Sequence, residues 1–570
     1  MSESKPTFRS ALRHRDYRWL ASAFVVSNIG SWAYNVALMV WVFDATGSAA
    51  WAGAVSLARF VPALLFSAYG GVLAERFERR NLIVTLNLTS AATHVLLALV
   101  VVADGPIVIA LVLAALGTLQ GTVYEPAIIA LTPEIVGETD LAAANSLNSL
   151  IDNSAIIAGP AIGAVLLVWF DPSVTLLINA ATFLYAAGAT RMVHTRSQPS
   201  DVTEGGQKKP LAQMAVGLKA LAGSSTARLL AGFSVLASFY YGTDTVLLVV
   251  LSETNLGTGA EGFGYLLTAL GVGGIIAAPL VNKLGSSSRL GTVIAVGMIV
   301  YTLPTAVMVL VSDPVVAFVL QVVRGAGTLV VDVLALTALQ RTLPPNLVAR
   351  VYGVFIALVL AAISLGAAIT PALLSVFGLS GTLLIYGVGT PLAVLLGYPR
   401  LLRVDRLARQ RLVAMAPRLR ALEASPLFAT LGRANLEQLA AAAAEMSVPT
   451  GTLIIRQGDR ADSLYLIADG VASVTVKGDD GHHHPVAELT SGDYFGEIGV
   501  LEGAPRNADV RAVEDCTLFK IDGDAFLSAA GHNPGTGFLD RARHRTSQTM
   551  QVSSRPGATA GEDHPHPDRE

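Results

Sequence analysis

The sequence has a single cysteine, Cys516, among its 570 residues. One cysteine cannot form a disulfide within the chain, and it excludes a metal site built from several cysteine ligands. Charged residues are also scarce, at 14%, whereas a soluble globular protein carries about 25%. The net charge of -3 lacks the basic excess that attracts nucleic acid, so we expect no nucleic-acid partner.

The residues that are abundant are apolar. Hydrophobic residues make up 52% of the chain, and the mean hydropathy is +0.56. Apolar runs recur from Tyr17 to Tyr398, and each is long enough to cross about 30 Å of hydrocarbon. One such run could be a buried helix of a soluble protein, but so many in succession cannot. We predict twelve membrane-spanning helices, at 17–43, 51–74, 81–103, 106–130, 144–169, 173–193, 228–252, 262–284, 290–311, 314–339, 350–377 and 380–398.

The connections between these helices differ in charge on the two sides of the membrane. One set carries the basic residues Arg76, Arg79, Arg80, Arg191, Arg196, Lys208, Lys209, Lys283, Arg289, Arg341, Arg400 and Arg403. The alternate set (FDATGSAA, ADGP, FDPS, SETNLGTGAEG, VSDP and FGLSG) contains no Lys or Arg. Basic loops stay in the cytoplasm. We therefore expect a multi-pass protein of the cell membrane with both termini cytoplasmic, including a retained arm at 1–16.

The spans fall into two groups of six. The polar stretch 196–227 separates them, and we predict a central cytoplasmic loop there. A weak repeat relates the two groups, because GVLAER at Gly71 and the segment from Leu131 have counterparts roughly 200 residues later. Two matching halves within 17–398 are typical of a transporter.

The composition changes after the last span. Residues 399–424 are basic and helical in pattern, and we interpret them as a connector. Short alternating apolar runs separated by Gly, Asp and Pro then predict a domain with a β-sheet core and flanking helices at 425–552. The tail at 553–570 has almost no large apolar residue, so we expect it to be disordered.

Within the β-rich region, YFGEIGVLEGAPRNADVRA from Tyr494 resembles the phosphate-binding cassette of cyclic-nucleotide-binding domains. Gly458 and Gly470 match the two turn glycines of that family. The resemblance implies an eight-stranded jelly roll, with cyclic AMP or cyclic GMP as regulatory ligand and no other cofactor. The binding residues that it implies are Gly496, Glu497, Ile498, Arg506, Asn507 and Ala508.

The residues of this cassette suit a cyclic phosphodiester. Arg506 can bind the phosphate oxygens with a bidentate fork, and the short turn helix at 496–498 can aim backbone N–H groups at them. In the family the glutamate at the position of Glu497 accepts from the ribose 2′-hydroxyl. Asn507 stands where relatives usually have Ser, Thr or Ala, which leaves adenine and guanine both open. The alternative is a cassette that is kept for folding and no longer binds a nucleotide.

In the membrane part, GVLAERFERR resembles the loop between the second and third helices of the major facilitator superfamily, and the resemblance covers about 10–398. The implied gate residues are Gly71, Glu75, Arg76, Arg79 and Arg80, with Glu75 in place of the usual Asp. The alternative is that these arginines only set topology. AGPAIGA, LARFVPALL and LQRTLPPNLVARVYG look most like a branch of siderophore and drug exporters.

Ionisable residues inside spanning helices are functional candidates, because a buried charge is costly in lipid. The candidates for a proton or substrate path are Arg59, Glu125, Asp152, Asp244, Arg324 and Asp332. The alternative is permanent pairing of Arg59 and Arg324 with acids on neighbouring helices. The run His482–His484 is interpreted as a solvated hairpin loop and not as a metal site.

The resemblances together favour a secondary transporter that exports a small molecule under cyclic-nucleotide control. The alternatives are a membrane-anchored nucleotide sensor without transport and a transporter whose C-terminal domain has lost its ligand. A nucleotide-gated channel is disfavoured, because the sequence shows no selectivity-filter or voltage-sensor pattern. The sequence shows no nucleophile–base pair of the kind that an enzyme uses, so we expect no enzymatic activity. The bilayer, a small-molecule substrate and a nucleotide are the expected partners, and the oligomeric state stays open.

Overall fold

The computed structural model describes residues 8–196, 210–284, 287, 289–342, 345–428, 431–478 and 482–531. The described part of the chain divides into two compact units, with the boundary between Arg409 and Gln410. The tail predicted at 553–570, residues 1–7 of the predicted arm, 197–209 of the central loop and 532–552 of the predicted C-terminal domain lie outside the described residues.

The first unit is helical throughout its described length. Its helices are α1 Phe8–Ala11, α2 Arg15–Thr46, α3 Ala49–Arg76, α4 Arg79–Val102, α5 Ile107–Trp169, α6 Pro172–Arg191, α7 Pro210–Gly223, α8 Ser225–Thr254, α9 Gly262–Leu284, α10 Leu290–Val307, α11 Pro314–Thr342 and α12 Pro345–Ala424. In the described residues, 10 helices are long and apolar enough to cross a membrane. The predicted helical membrane bundle is confirmed.

Two of these helices are longer than a bilayer is thick. α5 has 63 residues and α12 has 80, whereas about 20 residues span the hydrocarbon. Each contains one non-helical glycine, Gly137 at φ 68° and ψ 176° and Gly378 at φ 64° and ψ -178°. That backbone region is almost restricted to glycine. Both interruptions fall between spans that the sequence predicts, and the count of twelve itself stays a prediction.

The helices of the two halves pack in related ways. α3 packs against α5 in the first half, and α9 packs against α11 in the second. The halves meet through α5 with α9 and α3 with α8. Small residues permit close approach: an added Cβ at Gly163 would lie 2.8 Å from the Ala33 carbonyl oxygen of α2. The AGPAIGA segment therefore supports tight helix contact.

One apolar cluster extends through the bundle, and part of it lies near the end away from the basic loops. It joins residues 36–43 of α2, 246–249 of α8 and Ala367 of α12. A hydrogen bond of 2.8 Å from the Ser56 hydroxyl to the Thr245 hydroxyl adds a polar link between α3 and α8. Toward the basic-loop end of α5, Asp152 and Asn153 are exposed. In the described bundle these apolar segments are buried near one end, whereas Asp152 and Asn153 are exposed toward the other.

The second unit contains two four-stranded antiparallel sheets. Its elements are α13 Arg433–Ala442, β1 Ala444–Val448, β2 Leu453–Ile455, β3 Ser463–Asp469, β4 Ala472–Lys477, β5 His483–Leu489, β6 Tyr494–Phe495, α14 Glu497–Glu502, β7 Asp509–Ala512, β8 Cys516–Asp522 and α15 Gly523–Gly531. The sheet orders are β1-β8-β3-β6 and β2-β7-β4-β5. Ile467, Val510 and Leu518 are buried in a shared apolar cluster. This arrangement agrees with the predicted C-terminal β-rich domain.

Two local predictions are wrong. His483 and His484 belong to β5, opposite Lys477 and Val476 of β4, and do not form a hairpin loop. β5 lies at the edge of its sheet, so the exposed polar side chains at its beginning gave no strand pattern, whereas the run 484–489 did. The turn helix expected at 496–498 is α14, which begins at Glu497 and continues to Glu502.

Candidate nucleotide site and transport cavity

The cassette is formed where β6 turns into α14. Gly496 has a φ of 84° and precedes the first residue of the helix. An added Cβ there would lie 2.6 Å from Nη1 of Arg506 and 3.1 Å from Ile455. Both the left-handed backbone and the close approach therefore require glycine at this position. The turn places residue 496 directly against the predicted phosphate-binding arginine.

Arg506 is held by two backbone carbonyls. Its Nη1 donates to the Gly496 oxygen and its Nη2 to the Ser463 oxygen, each at 2.7 Å. The side chain is buried, and Nη2 lies 3.6 Å from a carboxylate oxygen of Asp462. A guanidinium has five N–H donors. The structure thus fixes the position of Arg506 with two of them.

Asp462 supplies negative charge beside this guanidinium. A hydrogen bond from the Ser463 hydroxyl lowers the pKa of Asp462, and the charges of Lys520 and Arg506 act in the same direction. The carboxylate is therefore ionised at neutral pH. Its contact with Arg506 is long and largely solvent-exposed, so an anionic ligand can compete with it for the guanidinium.

The other cassette residues surround this point. Glu497 is buried at the start of α14, whereas Ile498 and Ala508 are half-buried. Asn507, the position that departs from the family pattern, is exposed next to Arg506. The structure therefore gathers the six predicted residues at one site, with Asn507 at its surface.

In the basic loop between α3 and α4, two arginines contact other helices, whereas the charged residues before them are exposed. Arg79 forms an ion pair with Glu134 of α5, and Arg80 donates to the Arg191 carbonyl at the end of α6 at 2.6 Å. Glu75 and Arg76 are exposed, and Gly71 has free space around it. The sequence analysis did not identify Glu134. The sequence around Glu134 gave no local signal, because its partner Arg79 lies 55 positions away.

Two of the intramembrane charges pair with each other. Nη2 of Arg324 donates to both carboxylate oxygens of Asp244 at 2.8 Å. The same guanidinium donates to the Tyr301 carbonyl at 3.0 Å and to the Gln321 side chain at 2.6 Å. Both charged side chains are almost completely buried. This geometry favours permanent pairing over a transport path for these two residues.

The first half of the bundle contains a polar cavity of about 210 Å³. Arg59 and Glu125 line it, and Asn28 on its wall donates to Asp152 at 2.5 Å. Asp332 is exposed on α11 and does not line this cavity. The sequence analysis missed the wall residues Asn87, Ser90, His94, Gln120 and Tyr124. Their spacing of three or four positions on α4 and α5 is the signal that could have identified them.

Metal binding finds no support in the residues that the structure describes. No group of three or more His, Cys, Asp or Glu side chains there could hold a metal ion. The exposed histidines of β5 do not form such a group; His483 lies 3.5 Å from an Asp509 oxygen.

Comparison with known families matches both parts of the chain. Residues 7–423 match the major facilitator family described as transmembrane secretion effector. Residues 445–533 match the cyclic nucleotide-binding domain. Neither is a family of enzymes. The first match covers more than half of the chain, so it establishes family membership.

Individual relatives match the C-terminal part. An uncharacterized NTE family protein of Mycobacterium tuberculosis is 33% identical over 141 residues, 25% of this chain and 23% of the relative. A cAMP-dependent protein kinase regulatory subunit of Yarrowia lipolytica is 37% identical over 106 residues, 19% and 28% of the two chains. A cyclic nucleotide-gated potassium channel of Rhizobium etli is 36% identical over 111 residues, 20% and 26%. The chain thus spans about a quarter of the length of these relatives.

Solved structures give similar matches. The regulatory domain of Toxoplasma gondii PKA with cAMP is 22% identical, with a TM-score of 0.23 and coverage of 25% of this chain and 52% of that one. The bundle, the cassette geometry and the two family matches lead to one conclusion. The chain belongs to the transmembrane secretion effector family of the major facilitator superfamily and carries a C-terminal cyclic nucleotide-binding domain.

Proposed function

We propose that this protein exports a small molecule by secondary active transport and that a cyclic nucleotide bound to its C-terminal domain regulates the transport. The observation that carries the regulatory part is the position of Arg506. The backbone carbonyls of Gly496 and Ser463 hold this arginine beside Glu497. The other unit of the same chain is a transport bundle. A transporter has no structural need for such a cassette, so a regulatory ligand accounts for its presence.

The chemistry of the cassette supports an anionic cyclic phosphodiester. A buried arginine is the preferred partner of phosphate oxygens, because its planar fork matches their geometry. Two matched relatives are a cAMP-dependent kinase regulatory subunit and a cyclic nucleotide-gated channel. These names favour cyclic AMP or cyclic GMP as the ligand. The exposed Asn507 lies where it can influence the choice between the two bases.

We propose that the last part of α12 transmits the signal. Within the transport unit, Asp405 accepts hydrogen bonds from the Gly291 N–H at 2.7 Å and from the Thr292 hydroxyl at 2.7 Å, at the start of α10. Within the nucleotide unit, Leu419 and Leu422 are buried in the apolar core. The connector is therefore fixed at two points, one in each unit.

The export direction rests on two supports. The sequence segments around LARFVPALL resemble an exporter branch of the superfamily. Residues 36–43 and 246–249 are buried near the end without basic loops, whereas Asp152 is exposed toward the other end. If the basic loops lie in the cytoplasm, as the charge distribution predicts, this conformation receives its substrate from the cytoplasm.

The regulatory proposal can be tested without knowing the substrate. Ser31 lines the cavity, and its replacement by cysteine is nearly isosteric. Cys516 is buried, and burial raises the pKa of its thiol, so it reacts poorly with a thiol reagent. The replacement Cys516→Ala removes this second thiol altogether. The full-length Ser31→Cys, Cys516→Ala protein in lipid nanodiscs would be labelled with N-ethylmaleimide in the presence and absence of saturating cyclic AMP or cyclic GMP.

We expect one of the nucleotides to change the labelling rate by about fivefold or more, the size of an ordinary allosteric coupling. The same protein with Arg506→Ala is the control and should show no change. An unchanged labelling rate while the nucleotide is bound would remove the regulatory part of the proposal. Arg506→Lys, which keeps the charge, separates loss of the fork from misfolding.

A further inference from the structure

The polar cavity in the first half of the bundle has unsatisfied hydrogen-bond acceptors. Asn87 uses its amide nitrogen to donate to the Ile83 carbonyl at 2.9 Å, which leaves its oxygen free. His94 contacts the Ser90 carbonyl through Nδ1 at 2.8 Å. Because a carbonyl only accepts, Nδ1 carries the proton and Nε2 of the neutral ring is an acceptor. By hydrogen-bond geometry neither the Asn87 oxygen nor the His94 Nε2 has a partner among the described residues, and the Tyr124 hydroxyl lies beside the Asn87 side chain.

These acceptors are deeply buried. Asn87 is 1% exposed and His94 is 3% exposed, and both line the cavity. A buried polar atom without a hydrogen bond costs about 1–3 kcal/mol, so native proteins retain few of them. Two on the wall of one cavity indicate a ligand that donates hydrogen bonds there.

The same cavity contains a cation without a carboxylate partner. Arg59 lines it, and within the described part of the chain no Asp or Glu oxygen lies within 4 Å of its guanidinium. Its neighbours are Tyr34 and the ring of Phe60, 5.3 Å from the guanidinium carbon. Arg324 in the other half, by contrast, has Asp244. An unpaired guanidinium in a bundle interior favours an anionic group of the ligand.

The charges are ordered along the bundle axis. α3 and α5 both begin at the end without basic loops, at Ala49 and Ile107. At a rise of 1.5 Å per residue, Arg59 lies about 15 Å and Glu125 about 27 Å from those starts. Asp152, bonded to the cavity residue Asn28, accompanies Glu125 in the half nearer the basic loops. The cavity therefore has its cation nearer the end without basic loops, acceptors on its wall and carboxylates nearer the basic loops.

We infer that this cavity binds a small carboxylic acid rich in O–H or N–H donors, with its carboxylate against Arg59 and its donors against Asn87 and His94. This inference deepens the proposed transport function and rests on it. The volume of about 210 Å³ holds about eight non-hydrogen atoms, since a 150 Å³ cavity holds the six of benzene; the cavity is not fully enclosed, so a longer ligand can extend out of it. A simple fatty acid leaves the acceptors unpaired, and a neutral polyol leaves Arg59 unpaired.

Three six-carbon probes separate these features. Gluconate has a carboxylate and hydroxyls, hexanoate has only the carboxylate, and sorbitol has only the hydroxyls. The midpoint of thermal unfolding of the purified full-length protein in detergent would be measured against the concentration of each probe, which gives an apparent Kd. We expect gluconate to bind at least about tenfold more tightly than either of the other two, because a site that hydrogen-bonds its ligand rejects analogues that lack the group.

Variants assign the contacts. Arg59→Gln should reduce the gluconate affinity to that of sorbitol, whereas Arg15→Gln, the same charge change at an exposed site, should leave it unchanged. His94→Phe should weaken gluconate binding and leave hexanoate unaffected, and His94→Gln, which restores an acceptor, should recover part of the loss.

Equal affinity for the three probes, or no gluconate binding by the wild-type protein, overturns the inference. If Arg59→Gln does not fold, the relative affinities of the wild-type protein for the three probes still test the inference. A protein that ignores gluconate but responds to nucleotide in the Ser31→Cys assay refutes only this inference. One that binds gluconate but ignores nucleotide refutes only the proposed regulation.

Discussion

The buried ion pair between Asp244 and Arg324 allows a quantitative prediction. Replacing Asp244 with Leu leaves the guanidinium of Arg324 with no counter-charge in a site where both side chains are nearly inaccessible. Removing one partner of such a pair costs about 3–5 kcal/mol, because the remaining charge stays buried. Tyr301 also loses the acceptor of its hydroxyl, which lies 3.1 Å from the Asp244 oxygen.

The double replacement Asp244→Leu, Arg324→Met should behave differently. An apolar pair of similar volume removes both charges, and such exchanges are often neutral in stability. On a scale of roughly 2–4 °C per kcal/mol, we expect the single variant to lose about 6 °C or more and the double variant to regain most of that loss. The assay is thermal unfolding of the purified protein in detergent.

Two outcomes would refute this reasoning. An unchanged unfolding midpoint for Asp244→Leu would mean that the pair is not sealed from water. A double variant as unstable as the single one would mean that the charges are needed for something other than each other. A double variant that folds normally and keeps the gluconate affinity would show that the pair is structural.

Three further predictions concern other parts of the chain. Asp405→Ala should lower the folding stability by about 1 kcal/mol and weaken the effect of nucleotide on the labelling rate at Ser31→Cys. Asp313→Ala, which removes an ordinary helix cap, should leave that effect intact. Gly137→Ala should destabilise the protein by about 1–3 kcal/mol, because alanine is strained in the backbone conformation of this residue. Gly353→Ala, with open space around the added Cβ, should not destabilise it. The midpoints of thermal unfolding of the two variants test this difference. Hydrogen bonds from the N–H and hydroxyl of Thr450 lower the pKa of Asp515 from 3.8. The contribution of Asp515 to folding stability is therefore complete above about pH 4 and is lost as the pH falls further. The difference in unfolding midpoint between wild type and Asp515→Ala should shrink over that range.

The sequence is informative where the signal is local. Apolar runs predicted the bundle because length and hydropathy are properties of continuous segments, and the cassette around Arg506 was visible because its residues are neighbours in the chain. The beginning of β5 at His483 and His484 was assigned to a loop, because exposed polar side chains on an edge strand give no alternating pattern.

Contacts between distant segments could not be predicted. Arg324 and Asp244 are separated by 80 positions, and each appeared as a solitary intramembrane charge. The wall residues Asn87 and His94 share one face of α4, which their spacing could have shown, but only packing against α5 reveals that this face lines a cavity. Pairing of this kind depends on tertiary packing, which periodicity within one helix does not encode.

The central claim is that the C-terminal domain binds a cyclic nucleotide through Arg506. Calorimetric titration of the full-length protein in nanodiscs with cyclic AMP and cyclic GMP tests it most directly. The account predicts saturable binding of at least one nucleotide at one site per chain, weakened about 100-fold or more by Arg506→Ala, because two charge-assisted hydrogen bonds are lost. Absence of binding by the wild type with both nucleotides, or an affinity unchanged by Arg506→Ala, would contradict it.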